Sequence, residues 1–63
     1  MKTAKALIGI MSPTTLAGLI ADIQLLGKDA DGDEREIERW AMQTLAANVG
    51  DLEAKAMVAE LAG

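Results

Sequence analysis

The chain has 63 residues, 10 acidic against 6 basic side chains for a net charge of −4, and neither Cys nor His. That inventory excludes a disulfide staple, a zinc or other transition-metal site, and the common nucleophile–base pairs of hydrolytic enzymes. The acidic balance also opposes nucleic acid and anionic membrane as partners, since both select a basic face.

One domain spanning residues 1–63 is the most this length allows. A monomer of that size hides only about 60% of the surface its unfolded chain exposes. With no disulfide and no structural metal, oligomerisation is the ordinary remaining support. Apolar residues make up 51% of the chain, with one Trp and no Phe or Tyr. Ala, Leu, Ile and Met must fill the core, and these suit helix–helix contacts better than strands.

The first predicted element is a helix over residues 3–11. Ala4, Leu7, Ile8 and Met11 fall at i, i+3, i+4 and i+7, the spacing of one helical face. Gly9 weakens it, and so short a helix forms only when packed. Lys2 and Lys5 precede an uncharged stretch over residues 6–21, and Leu19-Ile20-Ala21 has the small-residue character of a cleavage site. Ser12-Pro13-Thr14-Thr15 interrupts that stretch, leaving too little for a signal core or a spanning helix.

Ser12-Pro13 restarts the helix, Ser as N-cap and Pro at the first helical position. The second helix is predicted over residues 13–26, with Leu16, Leu19, Ile20, Ile23 and Leu26 as its stripe. Positions 16, 19, 23 and 26 follow a two-heptad pattern that suits a helix–helix seam. Gly27 is placed to end it, and Lys28 to complement its carbonyl end.

An acidic joint follows over residues 29–36. Asp33 is the expected N-cap of a third helix, with Glu36 completing a capping box. Ile37, Trp40, Ala41, Thr44 and Leu45 form the expected inward face, and Glu34, Arg35, Glu38, Arg39 and Gln43 the outward one. Glu34 repels Glu38 at i, i+4, while Arg35 attracts Glu38 at i, i+3. Gly50 should stop this helix and Asp51 should cap a fourth. Leu52, Ala54, Met57, Val58 and Leu61 spread over an arc too wide for one contact, which suggests burial on two sides.

Asp29, Asp31 and Asp33, with Gly32 among them, resemble the opening of an EF-hand loop. The resemblance implies hard oxygen ligands for Ca²⁺ at the first three carboxylate positions. The later positions depart from the family. Glu34 stands where the sharp turn needs Gly, Glu36 where an aliphatic residue is usual, and Trp40 where a bidentate Glu closes the site. The plainer role of the joint is a solvated turn followed by an N-cap.

Ala46 and Gly50 have the spacing of a helix-turn-helix, but the next helix opens Asp51-Leu52-Glu53-Ala54-Lys55, which phosphates repel. Carboxylate pairs such as Glu34 and Glu36 have no predicted cleft around them, so no catalytic residue is assigned. Trp40 is either the bulky plug of an Ala/Leu core or an interface anchor. Met42, off the Ile37/Leu45 stripe, and Met57 are adaptable contact residues.

The expected fold is all-α, a bundle of three to four short helices. Helices two and three should form an antiparallel hairpin, completed by homo-oligomerisation. The expected function is that of a small, acidic, non-enzymatic interaction module: an adaptor, inhibitor or regulator such as phages and mobile elements produce. It would act as a homodimer and on another protein, with no nucleic-acid or membrane partner. Its expected interface residues are Leu16, Leu19, Ile23, Trp40, Met42 and Met57. A weak calcium-responsive module using Asp29, Asp31 and Asp33 is the first alternative, and a helix-turn-helix DNA-binding regulator the second. No resident cofactor is expected, and the lack of Cys suits a reducing, cytoplasmic setting.

Overall fold

Apolar spacing and the Ser/Pro/Gly punctuation divide the chain into four helices. They are α1 (Lys2–Ile10), α2 (Pro13–Leu26), α3 (Gly32–Val49) and α4 (Asp51–Ala62), with a 3-10 turn at Gly27–Asp29 between α2 and α3. This computed structural model describes residues 2–63, with side chains from residue 3 onward. The fold is all-α, with no strand among the described residues.

Each boundary has a local cause. Ser12 is extended (φ −68°, ψ 156°) and its hydroxyl accepts from the Thr15 amide, with Pro13 entering the first turn. The cap places one otherwise unpaired N–H, and Pro has none to place. Gly27 (φ +57°) and Gly50 (φ +91°) end α2 and α3 in backbone that L side chains rarely adopt.

The start of α3 corrects the expected frame. Asp31, not Asp33, is the N-cap: its Oδ1 accepts from the Glu34 amide at 2.7 Å, and Glu34 Oε1 accepts from the Asp31 amide at 2.9 Å. The 3-10 turn and extended Ala30 bring the chain to Asp31 already extended, so the earlier of two overlapping Asp-x-x-Glu boxes closes first. Asp33 instead lies inside the first turn, where its charge still favours the positive helix end. Asp51 is corrected likewise. Gly50 serves as both the C-cap of α3 and the N-cap position of α4, leaving Asp51 inside the helix with no side-chain cap.

The core joins all four helices through Ile8, Leu16, Ala17, Ile20, Ala41, Leu45, Ala54 and Val58. The alanines at 17, 41 and 54 are fully buried, which lets helix backbones approach closely where Leu would hold them apart. α2 packs on α3 and α4, α3 packs on α4, and α1 rests chiefly on α3. No polar or charged residue is buried among those described, so the core rests on apolar packing alone.

The radius of gyration is 10.8 Å, near the roughly 10.6 Å expected of a folded chain this long. The Cα extents of 26 × 26 × 15 Å make the molecule a slab. A thickness of 15 Å is about one helix-packing distance plus a backbone diameter, so every helix keeps one side in solvent.

Candidate functional site

The acidic joint is held by hydrogen bonds of its own. Besides the reciprocal Asp31–Glu34 cap, Arg35 bridges outward: its Nη1 donates to Glu38 Oε1 at 2.9 Å, and its Nη2 donates to the Gly27 carbonyl. That second bond brings a cation to the carbonyl end of α2, the task the sequence suggested for Lys28. On the same helix Arg39 pairs with Glu36 at 2.9 Å. Both ion pairs are solvent-exposed i, i+3 contacts and contribute little stability individually.

Asp29, Asp31 and Asp33 do not converge. Asp29 closes the 3-10 turn, Asp31 gives an oxygen to its cap, and Asp33 belongs to the first turn of α3. Among the described residues no three acidic side chains form a group able to hold a metal ion. At the other candidate joint, Gly50 alone separates α3 from α4, whereas a helix-turn-helix usually turns over three to four residues. Asp51 and Glu53 occupy the first turn of α4.

The expected interface residues fall into two groups. Leu16 and Ile23 lie inside, Leu16 at 0% and Ile23 at 5% exposure. Leu19, Trp40, Met42 and Met57 are partly buried and pack against the core. A partner meeting the folded chain as it stands therefore reaches Leu19, Trp40, Met42 and Met57, and not Leu16 or Ile23. Trp40 has a neighbour that spacing did not suggest: Lys5 Nζ of α1 lies 5.4 Å from the ring centroid.

The apolar surface that is free belongs to other residues. Leu7, Ile10, Leu25, Leu26, Leu52 and Leu61 are exposed, Ile10 at 82% and Leu52 at 86%. Four of these, Leu7, Leu26, Leu52 and Leu61, lie on stripes that spacing marks as inward; Leu26, the last residue of α2, is 42% exposed. Leu7 turns out because α1 buries Ile8 while Ala4 and Met11 flank it, so its contact face is narrower than the sequence stripe. Leu52 and Leu61 turn out because α4 seats Ala54 and Val58, one turn apart, against the core. The sequence does carry a signal for part of this set: Ile10 and Leu25 both lie off their helices' regular stripes.

No described helix is long and apolar enough to cross a membrane. No family model, curated protein or solved structure matches the chain.

Proposed function

We propose that this chain is a small non-enzymatic interaction module, an adaptor, inhibitor or regulator that docks through the apolar exteriors of its helices. In this reading α2 and α3 form an antiparallel hairpin across the acidic joint. The chain works in the cytoplasm as a homodimer and holds another protein. The supporting observation is the set of large apolar side chains left in solvent: among the described residues six are exposed, against ten buried apolar residues, several of them alanines.

Magnitudes favour a cluster over any single residue. Covering one exposed Leu or Ile is worth roughly 1.5–3 kcal/mol. Association costs about 4–15 kcal/mol in lost freedom, so several such residues must be covered together before binding is favourable. Leu19, Trp40, Met42 and Met57, each partly exposed, are suited to the edge of such a contact.

Affinity purification with the full chain tests this reading, run in parallel with a variant carrying Leu25→Glu and Leu52→Glu. Both sites are exposed, so the variant keeps its core. A protein retained by the native chain and lost with the variant supports docking through helix exteriors. Equal retention by both contradicts it.

A further inference from the structure

α1 has two faces. Ala4, Ile8 and Met11 turn toward the molecule, with Ile8 at 2% exposure. Thr3, Ala6, Leu7 and Ile10 are all exposed and fall at i, i+3, i+4 and i+7, an uncharged stripe along the outer side. Lys5, the helix's charged residue between them, lies over Trp40 of α3 and away from that stripe.

We propose that the outer stripe of α1 is the homodimer contact and that it pairs antiparallel with α1 of a second copy about a two-fold axis. The inference rests on the homodimer in the proposed function and names its surface. Two observations select a second copy as the occupant. The first is size. Reversing the helix about a point between Ala6 and Leu7 sets Thr3 level with Ile10 and Ala6 level with Leu7, so each large residue faces a small one and the two surfaces can interdigitate. A two-fold contact must be self-complementary in this way, and a parallel pairing would set Ile10 on Ile10.

The second observation is charge. α1 has no acidic residue in its first turn and no basic residue in its last, so neither end of its dipole is met by a side chain of its own helix. An antiparallel neighbour lays its carbonyl end beside the amide end of α1, and the reverse. The stripe carries no charge, so nothing on it repels its copy. A helix of 9 residues is about 13 Å long. The contact therefore falls short of the ~800 Å² per partner typical of stable pairs, and the dimer exchanges rapidly and forms at high protein concentration.

The chain's lack of cysteine makes disulfide trapping clean. Single variants Thr3→Cys and Ile10→Cys, both at exposed sites, are oxidised alone and as an equal mixture at concentrations where the native chain sediments as a dimer. The 3–10 cross-link is expected to form several-fold faster than either like-with-like cross-link. Ile10→Lys, which adds a favourable cation to the last turn of α1, should weaken self-association at least tenfold while Trp40 emission stays native. A dimer that forms no 3–10 cross-link and ignores Ile10→Lys overturns this surface and leaves the homodimer standing. A native chain that remains monomeric at every concentration overturns both. Monomers that instead bind neutral phosphatidylcholine vesicles through Ile10 would make lipid, and not a second copy, the occupant.

Discussion

Lys5 Nζ sits 5.4 Å from the centre of the Trp40 ring and so ties α1 to α3 across the surface of the bundle. α1 is the shortest of the four helices and too short to hold its shape alone. Its attachment rests on Ile8 in the core, on Met11 packed beside it, and on this cation over an aromatic face. Replacing Lys5 with Gln removes the charge and should cost about 0.5–1 kcal/mol. In a domain this small that lowers the melting temperature by several degrees. Denaturant unfolding followed by Trp40 emission measures the loss, and the native emission should shift to the red as the ring loses its cover.

Two aspartates compete for one cap, and the geometry assigns it to Asp31. Asp31→Ala should destabilise the chain by about 1 kcal/mol, the usual cost of losing a side-chain N-cap. Asp33→Ala, which loses only a charge near the helix start, should cost a few tenths of a kcal/mol. Paired urea titrations of the two variants decide the frame. Equal losses would return the cap to a shared or shifted position.

Gly50 holds φ +91° and ψ 158°, and a Cβ built there meets nothing within 4 Å. Gly50→Ala should therefore cost about 1–3 kcal/mol through backbone strain alone, with no steric contribution. Circular dichroism on heating should show an earlier melt with an unchanged native spectrum. A neutral substitution would mean that the α3–α4 joint adopts another conformation.

The slab has little core to spare. Leu45 has 0% exposure, and Leu45→Ala should cost roughly 2–5 kcal/mol. A core at this length rarely supplies more than about 3–5 kcal/mol, so the variant should be largely unfolded at room temperature. Leu52→Ala, at 86% exposure, should change stability by less than about 0.5 kcal/mol. Far-UV circular dichroism of the two side by side tests where the core ends.

The helix boundaries were legible in the sequence because Ser12, Pro13, Gly27 and Gly50 act locally, through caps and backbone conformation. The cap of α3 was not, because residues 31–34 and 33–36 spell the same Asp-x-x-Glu signal. The choice between them depends on how the chain leaves α2 through the 3-10 turn. The inward face of α4 was also hidden, since apolar residues lie on most sides of that helix. Only packing on α2 and α3 selects Ala54 and Val58 over the larger Leu52 and Leu61. For the candidate interface, Leu16 and Ile23 carry the same spacing signal whether a seam closes within one copy or between two. Periodicity reports that a face is covered and is silent on what covers it. The pairing of Lys5 with Trp40 joins residues far apart in the chain and left no trace in any local pattern.

Sedimentation equilibrium of the native chain, from low micromolar to near-millimolar concentration, tests most directly whether its outward apolar side chains drive association. The account predicts a weight-average mass that starts near 6.6 kDa and climbs toward twice that value as concentration rises. A mass that holds at 6.6 kDa over the whole range would contradict it.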